Sequence, residues 1–218
     1  MKKPKKDILN DVKICIDEIG LNDADFIGSQ DNVEMDTIIS SKIMDALRYV
    51  QGNADWSLLE PDLFIDRETE GVTVYEGIGK IILPDNFMRL CYARFSSWPL
   101  FLSEPIYWND KEYATLSDPY ATGTWERPKI AMIMHKRRTL ELYKAKDEKD
   151  EIEVGIIIEP VLTEEGEVNI SEKLYIALVY YIAGLTLLTY NDPHADDMIN
   201  QALVLMGVNP TKEVPATE

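Results

Sequence analysis

Leu-Tyr-Ile-Ala-Leu-Val-Tyr-Tyr-Ile-Ala-Gly-Leu-Thr-Leu-Leu-Thr-Tyr, residues 174–190, is the stretch on which the fold turns, because seventeen residues pass without one charged side chain. A membrane-crossing helix needs about 20 apolar residues. This run is shorter, holds four tyrosines and two threonines, and has no basic flank to orient it. It therefore reads as a helix of a water-soluble fold. A helix that is apolar all round must be buried all round. In a chain of this size, one face is expected to meet the protein body and the other a neighbouring subunit. Tyr180 and Tyr181 are candidate interface side chains, and Ala183 and Gly184 would permit close helix approach.

The flanks extend this helical region. Ser171 is placed as an N-cap before the run. Asn191 or Asp192 can cap a following helix, with Pro193 at its first position. Ala195, Met198, Ile199, Ala202, Leu203 and Met206 form its apolar face, and Gly207 stops it. Two further helices are expected near the start. Ile8, Val12, Cys15, Ile16 and Ile19 recur at helical spacing before Gly20, and Val33 to Val50 repeat the pattern before Gly52, with a polar link at Leu21–Asp31.

Between these helices the pattern changes. Candidate strands are Leu63–Ile65, Val72–Tyr75, Lys80–Leu83, Arg89–Phe95, Ile130–Met134, Thr139–Tyr143 and Ile152–Ile158. Lys144–Asp150 is a charge-dense exposed link. The expected fold class is α+β: a helical bundle made from an N-terminal helix hairpin and a C-terminal helix pair, with an inserted antiparallel β-rich region. The expected divisions are a basic arm at 1–6, a bundle from 7–60 and 171–207, a β-rich insert at 61–170 and a flexible tail at 208–218.

The chain has 218 residues, with 22 Lys and Arg against 39 Asp and Glu, a net charge of −17. That balance argues against a protein that coats nucleic acid or lies on an anionic membrane. The exception is the start, where Lys2, Lys3, Lys5 and Lys6 precede any acid. This arm reads as a solvated terminus or as a grip on an acidic neighbour. Cys15 and Cys91 are too few and too distant for a disulfide framework or a zinc site, and read as small core hydrophobes. Asp7, Asp11 and Lys13 stand where a signal peptide would be apolar, so synthesis in the cytoplasm is expected.

Nine of the twenty aromatic residues fall within residues 92–125. Trp98, Phe101, Tyr107, Trp108 and Trp125 among them are candidate interface residues. The same density suits a sugar platform or a ring-packed loop core. Asp192, His194, Asp196 and Asp197 crowd one helix start, where acids complement the helix dipole. No metal site, cofactor or catalytic residue is expected. Gly77-Ile78-Gly79-Lys80 lacks the third glycine of a dinucleotide loop and the hydroxyl residue of a P-loop, and no nucleophile elbow or zinc-protease motif occurs.

Two stretches carry a family resemblance. One is Leu83-Pro84-Asp85-Asn86-Phe87-Met88-Arg89-Leu90 leading into Cys91–Phe95 and Trp98. The other is Lys173–Gly207, with the charge-free run, then Asn-Asp-Pro-His-Ala-Asp-Asp, then Met-Ile-Asn-Gln-Ala-Leu-Val-Leu-Met-Gly. With the order of elements, they resemble the head-to-tail connector proteins of tailed bacteriophages, the adaptor or tail-tubular rings beneath the portal, including the ring proteins of crAss-like phages. The resemblance implies a virion protein, made in the host cytoplasm, that forms a ring of twelve copies. Its partners would be the portal and adjacent connector rings, with genomic DNA passing through without specific binding. It implies no enzyme activity and no membrane. The alternative is a cytoplasmic carbohydrate- or small-molecule-binding protein or enzyme that uses the aromatic-rich insert, with Trp98, Trp108 and Trp125 as its first candidates.

Overall fold

The computed structural model describes residues 1–18, 29–135, 137–147 and 149–208. The expected stop at Gly20, most of the Leu21–Asp31 link and all but the first residue of the expected tail lie outside them. The chain runs β1 (Lys2–Pro4), α1 (Lys5–Glu18), α2 (Ser29–Asn53), β2 (Leu63–Ile65), β3 (Val72–Tyr75), β4 (Ile78–Ile82), β5 (Phe87–Phe95) and β6 (Ile106–Tyr107). It continues with β7 (Gly123–Thr124), β8 (Arg127–Ile133), β9 (Thr139–Tyr143), β10 (Ile152–Ile158), β11 (Glu167–Asn169), α3 (Tyr175–Thr189) and α4 (Ala195–Leu205). It divides into two compact units, Met1–Glu60 with Pro160–Glu218, and Pro61–Glu159.

The expected fold class is corrected. The chain is a mixed α+β protein whose strands, spread over several sheets, outnumber its helices among the described residues; it is not a helical bundle into which a β-rich region is inserted. Strand pairing reaches into the helix-rich unit too, where β1 pairs antiparallel with β11. The physical reason is that strands of two or three residues show no periodicity of their own. They exist because a distant partner supplies their hydrogen bonds.

In the first unit, α3 packs against α1, α2 and α4. These three helices supply most of the burial that its composition demands. Ala177, Leu178, Ile182 and Ala183 are fully buried, while Ile176 and Leu188 remain exposed. The expected meeting of α3 with the protein body is made by these helices, and Ile176 and Leu188 mark the side they leave open. With the short turn before it, Glu172–Thr189 is long and apolar enough to cross a membrane by length and composition, and 56% of it is buried inside the fold. Ser171 does not cap α3 with its side chain; its hydroxyl donates to the Leu58 carbonyl at 2.7 Å.

In the second unit, β2, β10 and β5 form one sheet, and β3, β4, β9, β8 and β6 form another, with β7 paired to β8. All pairs are antiparallel except β6 with β8, which is parallel and departs from the expected antiparallel region. Glu76 and Gly77 both take positive φ, 51° and 75°, so the β3–β4 hairpin closes through a tight two-residue turn. The two sheets share one core, to which Phe95, Ile81, Ile130, Leu140, Leu142 and Ile156 contribute. Burying each such side chain stabilises the fold by about 1.5–3 kcal/mol.

Gly184 tests the α3–α4 packing. A Cβ there would meet Ile199 Cγ1 at 2.6 Å and the Ala195 carbonyl oxygen at 3.0 Å. Alanine favours a helix over glycine by about 1 kcal/mol, but the clash opposes it. We expect Gly184→Ala to lower stability by about 1–3 kcal/mol, read as a reduced denaturant midpoint.

Candidate functional site

Two features of the second unit combine exposed or polar side chains with a concave surface. Both depend on the excursion that leaves β5, passes through β6 and the short helical turn Tyr113–Ser117, and returns as β7. The excursion lies over the sheet face turned away from the shared core. There Leu116, Ala131 and Tyr143 form a second small apolar cluster with Ile78, Ile106 and Tyr113.

Glu141 is trapped beneath it, with only 6% of its surface exposed. Strand register explains its partners. Lys80 on β4 stands directly across from Glu141 on β9, and its ammonium lies 3.0 Å from Glu141 Oε1. The Tyr143 hydroxyl donates to Glu141 Oε2 at 2.5 Å. Burial pushes the Tyr143 phenol above its ordinary range, and the hydrogen bond to Glu141 and the Glu141 charge push it further. Burial also raises Tyr113, helped by Glu141 and opposed by Lys80. An open cleft of about 350 Å³ lies above this group, with Lys80, Tyr113, Ser117 and Glu141 in its wall. A donor, an acceptor and a ring edge side by side can hold a small polar molecule.

The second feature is the set of exposed rings. Phe101, Tyr107, Trp108 and Trp125 are 42–46% exposed, and Tyr120 is 96% exposed. Cations brace two of these rings, and a third packs on a histidine ring. The Arg94 guanidinium sits 4.1 Å from the Phe101 ring and Lys146 Nζ 4.9 Å from the Trp125 ring, while Trp108 lies against His135. A cleft of about 420 Å³ opens beside Tyr107, walled by Met88, Arg89, Met132 and Met134.

Several expected site residues are placed elsewhere. Trp98 is buried in the core, stacked edge-on against Phe95, and its Nε1 donates to the Lys144 carbonyl at 3.0 Å. It is corrected from interface residue to core residue. Ala183 and Gly184 are buried under their own chain's helices, so their small size serves the intrachain contact. Tyr180 and Tyr181 are half-buried, and Tyr181 stacks flat on Tyr49 at 4.6 Å. The lysine arm is not a loose end. Lys2 and Lys3 lie in β1, Lys5 and Lys6 open α1, and Lys3 Nζ sits 4.5 Å from the Tyr175 ring. Only Lys2 and Lys6 of the four are exposed. His194 Nδ1 lies 3.0 Å from Asp192 Oδ1, and among the described residues no cluster of three His, Cys, Asp or Glu could hold a metal ion.

The Lys80–Glu141–Tyr143 group was not legible from the sequence. Its one signal was a glutamate inside the apolar run Thr139–Tyr143. No protein-family model and no curated protein matches the chain.

Two outcomes follow from the burial. Tyr143→Phe removes a donor from the buried Glu141, and should lower stability by about 1–3 kcal/mol. Tyr143 holds its proton more tightly folded than unfolded, so the stability it confers is complete below about pH 10 and is lost as pH rises beyond that value. A denaturation series from pH 8 to 11 should therefore fall less steeply in Tyr143→Phe than in the parent. Separately, burial pushes the Cys91 thiol up to about 12. A thiol reagent at pH 8 should leave Cys91 unmodified until the chain unfolds.

Proposed function

We propose that this protein is a structural component of a tailed-phage virion, a ring of the head-to-tail connector that sits beneath the portal. The layout of helices around an insert no longer supports this reading, because the fold is not that bundle. The observation that carries it is the exposed aromatic set of the second unit, Phe101, Tyr107, Trp108, Tyr120 and Trp125. Rings this exposed, on an ordered excursion, mark a surface made to be covered by another protein. The resemblance in Leu83–Trp98 and Lys173–Gly207 supplies the class of partner: further copies, twelve to a ring, with the portal and the adjacent connector ring above and below.

In this role the protein is a passive coupler and seal with no catalysis. Its net charge of −17 suits a conduit. Acidic side chains facing a channel repel DNA phosphates and keep the passing genome from adhering.

A second reading has one observation in its favour. The cleft over Lys80, Glu141 and Tyr113 offers the mixed donor, acceptor and aromatic wall that a sugar or another small polar molecule needs. On that reading Lys80→Ala, rather than Trp108→Ala, abolishes binding.

The deciding measurement is the mass of the purified chain, alone and mixed with the portal protein of the same genome. A closed assembly of about twelve chains, formed alone or on the portal, is the expected result. Single chains in both samples would sink the ring reading. Trp108→Ala and Trp125→Ala should each weaken assembly about tenfold or more without lowering the melting temperature, since both side chains are already partly in water.

A further inference from the structure

The cleft of about 350 Å³ takes four of its side chains from the face of β4 and β9 turned away from the shared core. Strand register sets them out in two rows. Ile78 stands across from Tyr143, and Lys80 stands across from Glu141. One row is apolar, and the next carries a donor and an acceptor. Tyr113, Leu116 and Ser117, from the turn that covers this face, complete the wall.

The polar row does more than neutralise itself. Glu141 is only 6% exposed, but the side chain of Lys80 is 57% exposed. An ammonium carries three N–H donors. That of Lys80 lies 3.0 Å from Glu141 Oε1, and among the described residues it has no other partner. The Tyr113 hydroxyl has no hydrogen-bond partner among them either. Burial and the Glu141 charge raise its phenol, so it stays protonated and able to donate. Glu141 accepts from Lys80 on one oxygen and from Tyr143 on the other. A carboxylate has about four lone-pair sites, so acceptor capacity remains.

Charge narrows the ligand. Lys80 and Glu141 cancel, and among the described residues no other charged side chain is in the wall. An anion drawn to Lys80 would face the Glu141 carboxylate, and a cation drawn to Glu141 would face the ammonium. A neutral molecule meets neither penalty. It must carry groups that both donate and accept, as hydroxyls do, on a body with an apolar side for Ile78, Leu116 and the Tyr143 ring. Neighbouring hydroxyls of a sugar ring set their oxygens at about the spacing of a hydrogen-bonded pair, which is the spacing of the Lys80 ammonium and Glu141. The C–H face of the same ring supplies the apolar side. A cleft at the small end of the ligand-pocket range has room for about one or two such rings.

We propose that this cleft binds a neutral sugar through two neighbouring ring hydroxyls, one accepting from Lys80 and the other donating to Glu141, with the Tyr113 hydroxyl as a further donor. The proposal rests on the reading of this cleft as a small-molecule site, and it holds for a ring-forming chain as well as for a single one.

The test is saturation-transfer NMR on the full-length chain, which reads ligand signals whatever the size of the assembly. The probes are the methyl glycosides of glucose, galactose and mannose, with acetate and methylammonium for comparison. At least one glycoside should bind with a Kd of about 1–10 mM. Removing either of two neighbouring hydroxyls from it should weaken binding about tenfold, and removing a hydroxyl elsewhere on the ring should not. Lys80→Ala should abolish binding. Because that change leaves Glu141 unpaired, Tyr113→Phe serves as the second variant: it strands no buried group, should melt with the parent and should bind about tenfold more weakly. Glycoside binding that neither variant weakens lies elsewhere and overturns the proposal. Acetate or methylammonium binding that Tyr113→Phe weakens, with no glycoside bound at about 100 mM, overturns the sugar and keeps the cleft as a polar site. Binding by none of the probes removes both.

Discussion

Strand β9 is buried on both faces, and the second unit is organised around that constraint. Leu140 and Leu142 enter the core shared by the two sheets. Glu141 and Tyr143, pointing the other way, are almost as inaccessible. An antiparallel sheet commonly leaves one face in water. Here that face carries Ile78, Ala131 and Tyr143, too apolar to be left open, so the excursion between β5 and β8 folds across it. The cover then traps a carboxylate. A buried carboxylate costs several kcal/mol unless paired, and the β4–β9 register answers by setting Lys80 opposite. The polar cleft, the exposed rings and the Tyr120 turn all belong to the excursion that closes this face.

The first unit obeys a related constraint with different means. A helix without charges needs cover on its sides, and α3 finds most of that cover in α1, α2 and α4 while Ile176 and Leu188 stay exposed. The close approach of α4 is possible only because residue 184 lacks a side chain. The chain start is drawn in by the same logic. Pairing of Lys2–Pro4 with Glu167–Asn169 satisfies backbone groups at both ends of the unit, and the Lys5 amide adds a bond to the Gly166 carbonyl. A lysine-rich terminus became structure because a strand edge was available, not because its side chains asked for it.

These cases show what the sequence could and could not disclose. Val72–Tyr75 and Ile152–Ile158, with β-branched alternation of their own, and Thr139–Tyr143, with its apolar run, were legible and have the observed bounds. The strands β1, β6, β7 and β11 were not, because two or three residues hold no period and their existence is decided by pairing. All-round apolarity announced that α3 would be buried but not by what; a neighbouring subunit and three helices of the same chain satisfy the pattern equally. Trp98 and Trp108 lie ten positions apart in equally aromatic surroundings, and only the fold separates the core ring from the exposed one. Lys80 and Glu141 are distant in sequence and meet through a register that no local pattern encodes.

Electrostatics links the candidate surface back to the composition. Many of the basic side chains are engaged within the second unit: Lys80 on Glu141, Lys129 on Glu112, Arg94 on Glu153, Lys144 on the Pro119 carbonyl and Lys146 over Trp125. Four of these hold the excursion or the face beneath it. Positive charge is thus spent on internal order, and much of the acid excess is left to face outward. Two such chains repel one another at long range, the more so at low salt. Any contact between copies must overcome that repulsion with short-range terms, and buried aromatic area is the strongest of these. An acidic chain that displays water-exposed rings on an excursion held by internal ion pairs has both the barrier to casual association and the means to cross it.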